Sequence, residues 1–186
     1  MIFVRDKGRM CNNILQYGHV YAWAREHGQR AISMRFAYKY RYFHICHTPW
    51  HNFFVYVLAK FAAKSGLLPV AGFHSSDENS EAMKLLENSK WLVVEGWEVR
   101  FYNLFLKYKH EIISLFTFDK SIATKTAAMM QANSRPTSIK LGIHVRRGDY
   151  KTWQGGKYYY SDEQYADVIQ RFASLHNDND VDVYIC

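Results

Sequence analysis

An alternation of strand, loop, helix and strand opens the chain and constrains its fold more than any other feature. "MIFV" (1–4) is a run of apolar residues typical of a buried strand, and "AISM" (31–34) predicts the next one. Between them, apolar residues recur at helical spacing up to Gly28. Asn12 or Asn13 is predicted to cap that helix, because an asparagine side chain accepts from the free N–H groups of the first turn. This order predicts a βαβ unit with a parallel sheet.

The same order returns after "NSRPTS" (133–138), the clearest linker of the chain by composition. "IKLGIHV" (139–145) is predicted to be a strand, and "SDEQ" (161–164) has the spacing of a capping box that opens a helix. "VDVYIC" (181–186) predicts the next strand. Two strands and one helix make a poor core by themselves. These strands therefore either join the first sheet or belong to a domain that continues beyond residue 186.

Composition and charge narrow the class of protein. The 186 residues carry a net charge of +7 and are 48% hydrophobic and 17% aromatic, which supports a packed core and excludes a disordered chain. A basic balance fits an anionic partner such as a phosphate, a nucleotide, a nucleic acid or a membrane surface. The cations are spread in ones and twos, which argues against a basic arm for nucleic acid.

Cysteine usage and the apolar runs predict where the protein works. Cys11, Cys46 and Cys186 are an odd number without framework spacing, as in reduced cytoplasmic proteins. The longest apolar stretch, residues 53–63, is interrupted by Lys60 and is too short to span a bilayer. We read no signal peptide at the N-terminus. A cytoplasmic protein with no transmembrane segment is expected, while peripheral association with a membrane stays open.

The stretch "HVRRGD" (144–149) ends the strand that begins the second unit. Side chains alternate along a strand, so His144 and Arg146 are predicted to share one face and Arg147 to point the other way. Gly148 permits a sharp turn that brings Asp149 to the same edge. Ligands of open α/β sheets bind outside the carboxyl ends of the strands, and a guanidinium matches phosphate oxygens in a two-point contact. The alternative is a solvated strand end with an Arg–Asp ion pair.

The loop "DKGRMCNN" (6–13) occupies the equivalent position in the first unit. Gly8 permits close approach of the backbone, Arg9 supplies a charge, and a helix N-terminus supplies free N–H groups. The pattern is not G-x-G-x-x-G, so it does not predict a dinucleotide. An ordinary capped turn is the favoured interpretation of this loop.

Three other patterns favour structural roles. The His44, Cys46, His47 and His51 cluster fits no standard zinc spacing, and no metal site is expected. Asp178, Asp180 and Asp182 precede a strand, where a solvated turn explains them. The aromatic stretches "YKYRYF" and "KYYYS" could stack bases, but aromatics beside cations are commonly half-buried surface. Nucleic-acid binding is the minority interpretation.

Several segments, in the same order, resemble a known family. "HVRRGDY" resembles the H-x-R-R-x-D signature of the α-1,2-fucosyltransferases and their α-1,6- and protein O-fucosyltransferase relatives. "GRMCNNILQYGHVYAWAREHG" resembles the family's opening G-R-x-G-N-Q segment. "VVEGWEVRFYNLFLKYKHEIISLFTF" resembles its mid-domain region, and "YYYSDEQYADVI" the helix after the signature. The chain looks most similar to the bacterial members of glycosyltransferase family eleven.

This resemblance implies a fold and an activity. The fold is α/β and GT-B-like: a Rossmann-like acceptor-side domain over residues 1–135 and the beginning of a Rossmann-like domain that binds GDP-fucose over residues 139–186. The implied reaction is metal-independent, inverting transfer of fucose to a glycan hydroxyl, with an α-1,2 linkage to a galactose-type acceptor. The final "VYIC" matches a strand that the family continues into further nucleotide-binding elements. The chain is therefore expected to be truncated, and its own activity is left open.

The resemblance also implies roles for individual residues. Arg146 would bind the GDP diphosphate, and His144, Arg147 and Asp149 would shape that pocket. The loop of Gly8, Arg9, Asn12 and Asn13 would face it. Arg146 and Asp149 are the candidates for catalysis, Asp149 either as the base or by orienting an arginine. A non-catalytic binder of nucleotide sugars or glycans remains the alternative.

Overall fold

The computed structural model describes residues 1–5 and 8–186, apart from the side chains of residues 76–79. Contacts divide the chain into two compact units, Met1–Ile122 and Ala123–Cys186. The predicted boundary lies later in the chain, at the linker 133–138. That linker is bound to the second unit, because the Arg135 backbone N–H and side chain both donate to the Asp182 carboxylate, at 2.8 Å and 2.9 Å.

The first unit is built on a four-stranded parallel sheet in the order β2-β1-β4-β3. Its strands are β1 (Ile2–Arg5), β2 (Ala31–Ser33), β3 (Val70–Gly72) and β4 (Leu92–Glu95). Its helices are α1 (Met10–Glu26), α2 (Phe53–Lys64), α3 (Ser76–Asn88), α4 (Tyr102–Lys107) and α5 (Lys109–Leu115), with a short 3₁₀ turn at His44–His47. The helix α6 (Lys120–Ala132) follows and crosses the boundary between the units.

Helices cover both faces of this sheet, as a parallel sheet requires. Ile2 and Val4 of β1 point to one face, where they belong to a buried cluster with Tyr17 and Val20 of α1. Phe3 points to the other face and is buried near Ala59 of α2. The alternation of strand side chains thus divides the core into two layers. The prediction of an α/β fold with parallel strands is confirmed.

The start of α1 differs from the expectation. The helix begins at Met10, and the residue in the cap position is Arg9, whose side chain makes no capping hydrogen bond. Asn12 and Asn13 lie within the helix, so the prediction that one of them caps it is wrong. The end of the helix agrees with the sequence, because Gly28 has a φ of +64° and Gln29 N–H donates to the Ala24 carbonyl at 2.8 Å.

The second unit has a two-stranded parallel sheet of β5 (Ile139–Ile143) and β6 (Val181–Ile185). The strands β1 and β5 thus lie in separate sheets. Short 3₁₀ turns at Gly148–Lys151 and Trp153–Gly156 lead to α7 (Asp162–Ser174). The predicted capping box is present, because the Ser161 side chain accepts from Gln164 N–H and the Gln164 side chain accepts from Ser161 N–H.

Candidate functional site

Arg146 lies beyond the carboxyl end of β5 and holds an incompletely paired guanidinium. Its Nη2 is 3.7 Å from Asp149 Oδ1, and its Cζ lies 4.2 Å from the centre of the Tyr150 ring. Its Nε is buried and has no hydrogen-bond partner among the described residues. An N–H donor that is neither solvated nor paired costs free energy in the folded state. The Asp149 carboxylate neutralises the Arg146 charge only in part, so the guanidinium can still bind an anion.

Arg147 is engaged with the protein. Its Nη1 donates to the Tyr160 carbonyl at 2.6 Å, and its Nη2 forms an ion pair with Asp162, the first residue of α7. The Tyr159 and Tyr165 rings lie 5.3 Å and 5.4 Å from its Cζ. These contacts fix the loop after β5 to the start of α7. Arg147 therefore has an evident structural role.

His144 lies apart from the Arg146 contacts. Its Nδ1 is 3.5 Å from Cys186 Sγ, and the residue lines a cavity of about 420 Å³ together with Gly142 and Tyr165. Arg146 is not among the residues that line this cavity, although its backbone N–H donates to the Tyr165 hydroxyl at 3.3 Å. The regular strand ends at Ile143, although the Val145 N–H still donates to the Cys186 carbonyl at 2.7 Å. That His144 and Arg146 share one face stays a prediction.

The loop before α1 is described from Gly8 onward, since Asp6 and Lys7 lie outside the described residues. Gly8 has a φ of +92°, and a Cβ there would approach Asn12 Nδ2 to 2.8 Å. The loop therefore needs glycine at this position. Asn12 is exposed, whereas Asn13 is fully buried and neither of its amide atoms has a hydrogen-bond partner among residues 1–5 and 8–186.

A charged cluster that the sequence analysis missed lies at the carboxyl ends of β1 and β4. Arg5 Nη1 donates to Glu95 Oε2 at 3.0 Å, and His74 Nε2 is 3.6 Å from Glu95 Oε1. The chain leaves β1 toward β2 on one side and returns to β4 on the other, so these two strands meet at the switch point where α/β sheets bind ligands. A glutamate ending the apolar strand "LVVE" is the signal that could have found it.

The candidate metal ligands serve the protein's own structure. His51 is buried, its Nε2 accepts from Ser33 N–H at 3.0 Å, and burial lowers its pKa to about 4. Cys46 Sγ lies 3.3 Å from the Phe36 carbonyl, and His47 Nε2 lies 3.1 Å from Asp119. Among the described residues, no group of three or more His, Cys, Asp or Glu side chains could hold a metal ion.

Asp180, just before β6, and Asp182, within β6, bind the linker. Arg135 pairs with Asp180 and with Asp182, each at 2.8 Å. The Ser138 hydroxyl and the Arg135 backbone N–H donate to the Asp182 carboxylate and lower its pKa to about 2. These aspartates are therefore ion-pair partners rather than a solvated turn.

A sequence comparison with known proteins finds a similar fucosyltransferase. Over 169 residues, the chain is 27% identical to "Galactoside 2-alpha-L-fucosyltransferase Sec1" of Mus musculus, and the match covers 83% of this chain. The similarity supports a fucosyltransferase relationship. The chain spans 42% of the length of that fucosyltransferase. No family model matches, and no solved structure matches at a significant level.

The fucosyltransferase relationship agrees with the class of protein that the H-x-R-R-x-D resemblance implied. In the part of the chain that the structure describes, no helix is both long enough and apolar enough to cross a bilayer.

Proposed function

We propose that the chain is part of an α-1,2-fucosyltransferase of GT-B fold, similar to glycosyltransferase family eleven. The reaction would transfer fucose from GDP-fucose to a glycan hydroxyl, with inversion and without a metal. The observation that carries the proposal is Arg146, a half-buried guanidinium whose Nε is buried and unpaired among the described residues, after a parallel strand in a chain related to fucosyltransferases. A cytoplasmic location and a galactose-type acceptor belong to the same proposal.

Arg146 has the chemistry that a metal-free transfer requires. The bond between fucose and GDP breaks with growing negative charge on the leaving diphosphate, and preorganised donors must meet that charge. A guanidinium presents a planar fork of N–H groups to phosphate oxygens and stays protonated. The Tyr150 ring and the distant Asp149 carboxylate restrict the Arg146 side chain without pairing all of its donors. We therefore assign the diphosphate to Arg146.

Asp149 is the proposed partner of that arginine. An inverting transfer needs a base within hydrogen-bond reach of the acceptor hydroxyl. Asp149 is exposed and stands beside Arg146, which suits either the base or a carboxylate that orients the guanidinium. Replacement by asparagine keeps the shape and removes the basicity. If Asp149→Asn retains near-normal transfer, Asp149 is not the base.

The remaining candidates are proposed for each unit by itself. His144 lines the cavity after β5, and Arg147 holds the start of α7 in place beside it. In the first unit, Gly8, Arg9 and Asn12 would offer backbone N–H groups, charge and a side-chain amide to a nucleotide sugar. The unpaired amide of Asn13 would gain partners if a polar ligand or a water reached it.

Two neighbouring arginines give the test a matched pair of substitutions. Arg146→Lys keeps the charge but loses the two-point contact, so GDP-fucose-dependent transfer should fall by about 10²–10³-fold with an unchanged melting temperature. Arg147→Lys should keep most of the transfer activity. It should lower the free energy of unfolding by about 0.5–1 kcal/mol, because its ion pair with Asp162 is largely exposed.

Transfer to a galactoside, GDP affinity and melting temperature are measured for both variants. The assignment is reversed if Arg146→Lys stays active while Arg147→Lys loses GDP binding at unchanged stability. If the unmodified protein binds GDP but transfers no fucose, the chain is a nucleotide-sugar-binding protein. If neither arginine affects GDP binding, the pair is a solvated strand end.

A further inference from the structure

The helix α2 (Phe53–Lys64) carries an outward apolar face that the fold does not use. Only Ala59 of this helix is fully buried. On the opposite side, Phe54, Leu58 and Phe61 follow each other at helical spacing and are 79%, 68% and 66% exposed. Leu67, just after the helix, is 72% exposed. A contiguous exposed apolar patch of this kind marks a binding surface.

Two tryptophans border this face. Trp50 and Trp91 are 48% and 56% exposed, and they line an apolar groove of about 280 Å³ with Leu58 and Leu67. An indole combines an apolar ring with one N–H donor, which suits the boundary between lipid headgroups and acyl chains. The patch therefore has the side chains of an interfacial surface.

Positive charge lies directly beside the apolar face. Lys60 and Lys64 lie on the neighbouring stripe of α2 and line a cavity of about 330 Å³ together with Arg5 and Arg35. Among the described residues, neither lysine has a carboxylate within ion-pair distance, and Lys60 Nζ lies 5.5 Å from the centre of the Tyr56 ring. These two ammonium groups are available to an external anion.

The sequence around α2 extends this charge pattern. From His27 to Ser76 the chain contains no aspartate or glutamate. The same stretch contains the cations Arg30, Arg35, Lys39, Arg41, Lys60 and Lys64. A protein partner or a second copy would meet this surface with mixed charges, whereas an anionic lipid surface is uniformly negative. Charge complementarity thus selects among the possible occupants.

We propose that the α2 face docks the protein on an anionic phospholipid membrane. Phe54, Leu58 and Phe61 enter the boundary between headgroups and acyl chains, and Lys60 and Lys64 contact lipid phosphates. A helix of this composition lies in the plane of the interface rather than crossing it. The proposal does not depend on the fucosyltransferase activity, because it concerns a different surface and is tested without turnover.

Vesicle flotation tests the proposal with the unmodified chain. The chain should float with vesicles of phosphatidylcholine and phosphatidylglycerol, more strongly at low salt, and should not float with phosphatidylcholine alone. Free glycerol phosphate should not displace it. Displacement by glycerol phosphate would show a site for a soluble anion and would overturn membrane docking. Failure to float at low salt would overturn it as well.

Paired variants separate the apolar and the charged contributions. Phe54→Ser combined with Leu58→Ser should weaken partitioning by roughly tenfold or more for each side chain. Leu106→Ser combined with Ile113→Ser changes two side chains of similar exposure on α4 and α5, and should leave flotation unchanged. Equal flotation of both double variants would refute docking through α2.

The charge variants use the same design. Lys60→Gln combined with Lys64→Gln should weaken binding to phosphatidylglycerol vesicles by about 25-fold, at roughly fivefold per cation. Lys120→Gln combined with Lys125→Gln, on exposed positions of α6, is the control.

Light scattering tests whether a second copy covers the α2 face instead. A dimer that disappears in the Phe54→Ser and Leu58→Ser variant, without vesicle binding by the unmodified chain, would assign the face to a second copy.

Discussion

His51 is expected to make the free energy of unfolding of the first unit fall as the pH is lowered. The side chain is buried, its Nε2 accepts the Ser33 backbone N–H at 3.0 Å, and its Nδ1 lies 2.8 Å from Thr48 Oγ1. The Thr48 hydroxyl donates to the Ile45 carbonyl at 2.6 Å, so it accepts from Nδ1–H. This network requires neutral imidazole. Burial accordingly lowers the pKa of His51 from 6.5 to about 4.

The direction of the effect follows from proton uptake. Between pH 4 and 6.5 the unfolded chain binds a proton at His51 more readily than the folded protein does. Stability is therefore fully present above the unfolded pKa and is lost as the pH falls through this window. Between about pH 7.5 and 4.5 the loss from this one group is on the order of 2–3 kcal/mol.

Substitution by glutamine isolates the contribution. His51→Gln retains an acceptor for Ser33 N–H but cannot titrate, so its stability deficit relative to the unmodified protein should shrink by about 2–3 kcal/mol on acidification. His51→Leu removes the acceptor of the buried Ser33 N–H, which should cost about 1–3 kcal/mol more than glutamine near neutral pH. Urea unfolding at both pH values measures the differences. A deficit that is the same at both pH values would refute the argument.

Two further predictions concern backbone strain and an orphaned amide. Gly96 has a φ of +111°, and a Cβ there would lie 2.2 Å from the Phe73 carbonyl oxygen. Gly96→Ala should therefore lower the free energy of unfolding by about 3 kcal/mol or more, measured by thermal or urea unfolding. Gly66→Ala, whose Cβ meets open space, is the control and should lower it by about 1 kcal/mol. Equal losses for the two variants would contradict the predicted clash. Asn13→Leu should raise the free energy of unfolding by about 1–2 kcal/mol, because it removes an unpaired buried amide. A lower melting temperature for Asn13→Leu would show that the amide finds partners in solution.

The local elements of the fold were readable from the sequence. Apolar runs predicted the β1 and β2 strands, Gly28 predicted the end of α1, and the Ser161 and Gln164 spacing predicted the capping box. Each of these signals acts over a few residues. The start of α1 was misplaced because the asparagines fit a capping pattern, while the helix already forms from Met10 without a side-chain cap.

The contacts that could form a site were less predictable. Arg5 and Glu95 are 90 residues apart and meet only because β1 and β4 are neighbours in the sheet. Strand order is not encoded in the spacing of either residue. His51 shows the same limit, since the sequence put it in a possible metal cluster and gave no sign that Ser33 N–H would be its partner. The sequence patterns indicated candidate residues, whereas the strand order and packing of the fold determine which residues those candidates contact.

The adjacent arginines show how two identical side chains acquire different environments. The expected cause was strand alternation, but β5 ends at Ile143 and the backbone near Arg147 is extended before the turn at Gly148. Arg147 instead reaches the first residue of α7, whose position is fixed by the capping box. That ion pair occupies one guanidinium and leaves the other, Arg146, with a long Asp149 contact and an unpaired Nε. Because the neighbour's charge is already neutralised within the protein, an incoming diphosphate would find a single preorganised fork at Arg146. The repulsion between adjacent cations is thus reduced by the helix that follows them, which makes α7 part of the proposed donor site even without contact to the ligand.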